Sequence, residues 1–357
     1  MRLPRLSLLA PLFLVAACAA PRPTLPTAIV YPSAETRPVG TADADAADDP
    51  AIWAPPPGET SYFRGAPIPG IIAGTDKKAG LYIYGVDGGV LQFLGDGLLN
   101  NVDLREIRTD GRRRLLIGAS DRSPARMGIA LYLYDPSDRS AGNEVRPWGF
   151  IPADVGEPYG FCMGKVGGAV HALLAAKNGE VRQYRLSVDG EAPSAEEVRR
   201  FRVGSQSEGC VFDDEAGMLY IGEETVGLWR YGADPASGAE RLLVEPVGAG
   251  RLVADVEGVT MIRDREACYL IVSSQGDSAF ALWRVDGDAP VYAGRFRVDA
   301  RRGIDEVTGT DGLDAFSGPI GPYPEGLVVV QDDVNEGNTQ NFKLIDWRAI
   351  KGALNLT

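Results

Sequence analysis

LYIYGVDG, at residues 81–88, reads as a strand running into a tight turn, and the chain repeats it. LYLYDPSD begins at Leu131, VRQYRLSVDG at Val181, LWRYGADP at Leu228, LWRVDGD at Leu282 and FKLIDW at Phe342, at successive offsets of 50, 50, 47, 54 and 60 residues. Each carries an aromatic or apolar stripe, and most close on Gly, Asp or Pro, as strands with turns do. A period near 50 is the length of a propeller blade of four strands. A second strand-like run precedes each copy and ends in a polar cluster: IIAGTDKK (71–78), LLIGASDR (115–122), ALLAAKNGE (172–180), LYIGEET (219–225), YLIVSSQGD (269–277) and LVVVQDD (327–333). A third element, polar first and apolar after, lies upstream: DDPAIW (48–53), NNVDLREI (100–107), EPYGFCMG (157–164), SEGCVFD (207–213), VEGVTMI (256–262) and DGLDAF (311–316). Three kinds of element, six times each, predict an all-β fold, a six-bladed β-propeller of roughly four-stranded antiparallel blades.

Antiparallel order has a functional consequence. The start of the innermost strand and the end of the second strand lie on the same face of a blade. All twelve polar clusters are therefore expected around one mouth of the central channel. Ring closure needs a strand to join the last blade to the first. Residues 28–39 are expected to supply it, beside a blade that ends near Trp347.

The N-terminus reads as export machinery. Met1, Arg2 and Arg5 precede an apolar run, Leu6 to Ala17, too short to span a bilayer. Val15-Ala16-Ala17-Cys18 has the form of a bacterial lipobox, which predicts a signal peptide over 1–18, lipid on Cys18, a Pro-rich tether over 19–27 (Pro21, Pro23, Pro26) and one propeller domain over 28–357. Ordinary secretion, with cleavage between Ala17 and Ala20, is the alternative. The protein is expected to be exported and lipid-anchored to the bacterial envelope, on its periplasmic or cell-surface side, as a monomer. Of the other cysteines, Cys162, Cys210 and Cys268 sit in apolar strand-like runs, and whether Cys162 pairs with Cys210 is left open. The chain has 49 Asp+Glu against 36 Lys+Arg, a net charge of −13. That balance argues against nucleic acid or anionic lipid as a partner of the domain and favours hard divalent cations.

Two sets of side chains fall at the expected mouth. The first is acidic and amidic: Asp48, Asp49, Asn100, Asn101, Asp103, Glu208, Glu223, Glu224, Glu257, Gln275, Asp277, Asp311, Asp314, Asp332 and Asp333. So many carboxylates repel one another unless cations are bound among them. Oxygen-only donors, with a single His in the chain, point to several Ca2+ ions and away from zinc. The second set is basic: Lys77, Lys78, Arg122 and Lys177, from three consecutive blades, with Tyr159 nearby. Lysine charges and an arginine fork match phosphate oxygens. His171 lies in an apolar run and reads as structural. Neither an Arg-His-Gly nor a Cys-x5-Arg motif is present, so phosphate chemistry here would be metal-assisted attack by water.

The runs DAADDPAIW (45–53), TDKKAGLYIY (75–84), LNNVDLR (99–105), YGF (159–161), SQSEG (205–209), YIGEE (220–224), DVEG (255–258), SSQGDS (273–278), TDGLD (310–314) and NFKLIDW (341–347) resemble those of the β-propeller phytases, in order and over nearly the whole chain after residue 28. The resemblance implies a six-bladed, alkaline, calcium-dependent phosphomonoesterase that removes phosphates stepwise from calcium-chelated phytate, a 3-phytase-type enzyme. It implies phosphate binding by Lys77, Arg122, Tyr159 and Lys177, assisted by Lys78. It implies that Asp48, Glu208, Glu223, Glu257 and Asp314 hold the catalytic calciums and position the water. Asp49, Asn101, Asp103, Gln275 and Asp311, with Glu224 added as a further ligand, are expected on additional calciums. Asn178, Asp121 and Gly309 depart from the family pattern, and 333–340 looks shortened, which bears on metal affinity and number. Two other readings of the same propeller are weighed: a calcium-dependent lactonase or esterase, and a non-catalytic calcium-stabilised binding propeller. The surplus cations Lys77, Arg122 and Lys177 count against the first.

Overall fold

The structure is a computed structural model that describes residues 25–356 apart from Glu266 and Asp288. The expected leader, Cys18 and most of the tether lie outside the described residues. The rest forms six blades. Their inner strands are Ala47–Trp53, Leu99–Thr109, Pro158–Val166, Ser207–Asp213, Val256–Asp264 and Leu313–Ser317, and each leads outward through antiparallel neighbours. Because both faces of a blade are covered by the adjacent blades, the second and third strands are buried over most of their length. Ile71–Asp76 and Gly80–Gly85 of blade 1, for example, have no exposed residue.

Closure follows the expected route. Ala34–Glu35 pairs antiparallel with Thr339–Asp346 as the outer strand of blade 6, so the chain's beginning and end share one sheet. Gln340 strengthens the seam, its Oε1 accepting from Ala47 N at 2.7 Å. Two elements were not expected. Ala28–Val30 adds a fifth, parallel strand to blade 5, against Val291–Val298. A helix, Trp347–Leu354, follows blade 6, with Asp346 accepting from Arg348 N at its start, and buries Trp347 and Ile350. Three-residue strands have no periodicity to read, and the helix is only two turns long. Cys162 and Cys210 are joined by a disulfide that links the inner strands of blades 3 and 4, while Cys268 is buried and free. Among the described residues no helix is long and apolar enough to cross a membrane.

The mouth is built by one repeated irregularity. In blades 1 to 5 two residues of the inner strand face one of the second strand, which is a β-bulge. The bulged pairs are Asp48-Asp49, Asn100-Asn101, Tyr159-Gly160, Glu208-Gly209 and Glu257-Gly258. In blade 6 the same place, just before the inner strand, holds Asp311-Gly312. Each bulge frees its side chains from the in-out alternation of a strand and aims them at the axis. Glycine is needed where the next inner strand presses in. A Cβ on Gly209 would stand 2.0 Å from the Glu257 carbonyl oxygen, and one on Gly160 2.2 Å from that of Glu208.

Candidate active site

Three groups of side chains occupy the channel and its mouth. The central one is acidic. Glu208, Glu224 and Glu257 are all buried, and each offers a carboxylate oxygen within 4.8 Å of those of the other two. The Tyr159 phenol lies within electrostatic reach of both Glu208 and Glu224. Asn100 Nδ2 donates to Glu208 Oε1, and the Asn101 amide, turned to donate, reaches the same oxygen at 3.0 Å. Lys77 Nζ completes the group, bonded to Asp48 Oδ1 at 2.8 Å, Asp311 Oδ2 at 3.0 Å and Asp45 Oδ1 at 2.6 Å. Gln275 Nε2 donates to Asp311 Oδ1 at 2.6 Å.

The electrostatics are those of crowded, desolvated acid. Burial, then the charges of Asp48 and Asp311, raise the Glu208 carboxyl well above the usual range. Burial, then Glu208 and Asp311, do the same to Glu257. Burial pushes Glu224 up to about 7, and Asp311 also to about 7 despite the opposing charge of Lys77. Burial alone would lower Lys77, but Asp48 and Asp311 outweigh it and hold the ammonium charged. Burial, then Glu208, keep the Tyr159 phenol protonated. Four buried oxygens here, Asp48 Oδ2, Asn100 Oδ1, Glu224 Oε1 and Glu257 Oε2, have no hydrogen-bond partner among the described residues. Orphaned buried acceptors are costly, and a hard cation with oxygen ligands satisfies several at once. The donor set therefore fits a divalent metal such as calcium.

The second group lies beside the first. Lys177 Nζ sits 5.0 Å above the centre of the Tyr159 ring and 3.0 Å from Glu157 Oε1. Arg122 Nη1 approaches the same oxygen at 3.4 Å. Lys78 is exposed in the turn after the second strand of blade 1. The four expected phosphate cations thus divide. Lys77 is buried in carboxylate, Arg122 and Lys177 share Glu157, and Lys78 stands at the rim.

The third group lies along the channel axis. Asp49, Asp103 and Asp314, expected as metal ligands, line a cavity of about 190 Å³, and each accepts from a backbone N–H. Asp49 accepts from Val102 N at 3.0 Å, Asp103 from Met163 N at 2.7 Å and Asp314 from Ile52 N at 2.7 Å. Each bond ties one inner strand to that of the next blade, so these carboxylates act as rungs around the axis. Burial pushes Asp314 to about 7 and raises Asp103 and Asp49. Arg105 lies below, bonded to Asp103 at 2.7 Å.

Glu223 stands outside the group formed by Glu208, Glu224 and Glu257. It was expected to position water, yet its Oε1 accepts from Ser205 N and Ser205 Oγ, both at 2.7 Å, and its Oε2 from Trp229 Nε1 at 2.8 Å. That carboxylate ties the loop before its blade's inner strand to the third strand, Gly227–Gly232, and Glu224, one residue on, joins the acidic group. Sequence reasoning passed over Glu157 and Asp45, although both stand beside residues it did name. His171 is buried as expected, its Nδ1 3.1 Å from Gln183 Nε2 on the neighbouring strand.

Comparison with known proteins identifies the family and the fold. The family model described as Phytase matches residues 6–356. The 3-phytase of Bacillus subtilis (strain 168) is 36% identical over 326 residues, covering 88% of this chain and 83% of the relative. Among solved structures, an α-L-arabinofuranosidase of Fusarium graminearum has a TM-score of 0.56 at 9% identity, over 89% of this chain and 98% of that one. A regucalcin of Agrobacterium tumefaciens, titled a calcium-binding protein, has 0.54 at 14%, over 90% and 97%. At such identities the two structures speak to fold alone.

Proposed function

The chain belongs to the phytase family of phosphoric monoester hydrolases, and on that premise we propose that it hydrolyses the phosphomonoesters of phytate by calcium-dependent, direct attack of water. One observation carries the reading. A buried all-oxygen group with unpartnered acceptors lies near a pair of cations, and Tyr159 packs under Lys177 within electrostatic reach of Glu208 and Glu224. A polyanionic substrate that arrives with divalent cations needs both kinds of surface.

Glu208, Glu224, Glu257, Asp48 and Asp311, with the Asn100 carbonyl, would hold the calcium. When bound, calcium supplies neutralisation of phosphoryl charge and a more acidic water. The protein's own groups do the rest. Arg122 and Lys177 bind the substrate phosphate, Lys78 adds long-range attraction at the rim, and Tyr159 donates a hydrogen bond to a phosphoryl oxygen. Lys77 holds Asp48 and Asp311 in place and presents its charge toward the same centre. We assign to Glu224, rather than Glu223, the orienting of the attacking water and the acceptance of its proton. We assign no covalent enzyme intermediate, in keeping with a chain that carries neither an Arg-His-Gly nor a Cys-x5-Arg motif.

We place the protein outside the cytoplasm, tethered through lipid on Cys18. The Cys162–Cys210 disulfide supports an oxidising compartment. Replacing Cys18 by Ala should move the protein from the membrane fraction to the soluble one. The catalytic reading is tested with the soluble form that lacks residues 1–18, by phosphate release from phytate before and after removal of divalent cations. Activity that vanishes on chelation and returns with calcium is expected. Full activity after thorough chelation refutes it.

A further inference from the structure

Glu157 has no role in the chemistry above, yet its carboxylate lies between two of the cations assigned to phosphate. Oε1 is 3.0 Å from Lys177 Nζ and 3.4 Å from Arg122 Nη1. These are the contacts a phosphoryl oxygen would make. We propose that Glu157 is a specificity-determining residue, an internal anion that holds the Arg122–Lys177 site in the free protein and must be displaced by the incoming phosphate. The inference rests on Arg122 and Lys177 being that site.

The local structure suits displacement. The backbone is fixed: Glu157 O accepts from Lys177 N at 3.1 Å, and Pro158 restricts the conformation of the residue before it. The side chain is free to leave, because 44% of it is exposed and solvent is open beyond it. It can therefore swing out about its own torsions without moving the strand that carries Tyr159. The contest is decided by charge. A monoester phosphate carries nearly two negative charges at neutral pH against one for the carboxylate. Phytate brings five more phosphates for Lys78 and the calcium to attract. A singly charged ligand gains nothing over the resident carboxylate and is excluded. The carboxylate also spares Arg122 and Lys177 from facing each other unpaired in the free protein.

The test uses Glu157→Gln, which keeps the shape and loses the charge, with Glu157→Asp as the variant that keeps the charge. Orthophosphate is the probe, its binding measured by calorimetry on the calcium-loaded soluble form, alongside KM for phytate. Two partly exposed ion pairs are lost, each worth under about 1 kcal/mol. Glu157→Gln should thus tighten orthophosphate about three- to tenfold and lower KM in parallel, whereas Glu157→Asp should stay near wild type. A merely structural residue would loosen binding when altered. Unchanged or weaker orthophosphate binding in Glu157→Gln, with a wild type that binds it, overturns the role of Glu157 alone. A wild type that hydrolyses phytate but whose orthophosphate affinity ignores Lys177→Ala overturns the site and this inference with it.

Discussion

Asp314 gives the sharpest test of the electrostatics. Its carboxyl titrates at about 7 in the folded protein against 3.8 for an ordinary aspartate, with burial as the main cause and Asp103 second. A raised carboxyl favours folding while it is protonated. Its contribution is complete below the unfolded value and is lost as pH rises through about 7. Between pH 5 and pH 7 the unfolded carboxyl is ionised and the folded one is not, so the folded state binds the extra proton and stability falls. Two pH decades at about 1.4 kcal/mol each give roughly 3 kcal/mol. For a domain of about 330 residues, with an unfolding entropy near 0.7 kcal/mol/K, that is ~4 °C in Tm. The perturbation is Asp314→Asn, compared with wild type after divalent cations are removed. The variant also weakens the bonds from Ile52 N and Thr260 Oγ1, so the slope of Tm against pH is the readout and not Tm itself. Wild type should lose stability from pH 5 to 8, with Glu208, Glu224, Glu257 and Asp311 adding to the slope in the same direction. Asp314→Asn should fall about 4 °C less over that range, followed by differential scanning calorimetry. A variant whose Tm falls as steeply as wild type would show that burial does not hold this carboxyl protonated.

Lys77 and Lys177 should separate cleanly. Lys77→Ala leaves Asp48 and Asp311 buried without their cation, a loss of about 3–5 kcal/mol, whereas Lys177→Ala at the partly exposed rim should cost under about 1 kcal/mol and raise KM; urea titration and steady-state kinetics would distinguish them. Glu224→Gln should lower kcat at least about 100-fold, the scale of a lost general base, whereas Glu223→Gln should appear chiefly as a stability loss of about 1–3 kcal/mol from its bonds to Ser205 and Trp229. Equal kcat losses in both variants would count against this division. The Cys162–Cys210 disulfide closes 48 residues, for which chain entropy predicts about 4 kcal/mol; the double Ser variant should lose that stability in a denaturant titration and weaken the Tyr159–Glu208 contact, seen as a poorer calcium affinity.

Blade count was legible because burial on both faces leaves a mark in every strand: a near-continuous apolar run such as LLIGA or YLIV, repeated at the blade period. The mouth was legible for the same reason, since antiparallel order puts strand starts beside strand ends whatever residues they hold. Side-chain direction within the mouth was not. Alternation tells inward from outward only where the ladder is regular, and the five bulges break it at the functional positions. Asp48 and Asp49 are neighbours, yet one binds Lys77 and the other Val102 N. Glu223 ends a strand opposite Ser207, and Glu224 lies in the turn beyond it, so no periodicity connects the two. A local cue does exist. Tyr159, Glu208, Glu257 and Asp311 are each followed by glycine, and that glycine marks where the next inner strand crowds the bulge. At the start of an inner strand that pairing accompanies the axial side chain, whereas Asp49, Asp103 and Asp314 lack the glycine and are rungs; elsewhere, as at Asp87-Gly88, Asp110-Gly111 and Glu336-Gly337, an acid before glycine is an ordinary turn. Glu157 could not be found this way, because a carboxylate paired with rim cations differs from any solvated loop acid only through the position of Lys177, some twenty residues away.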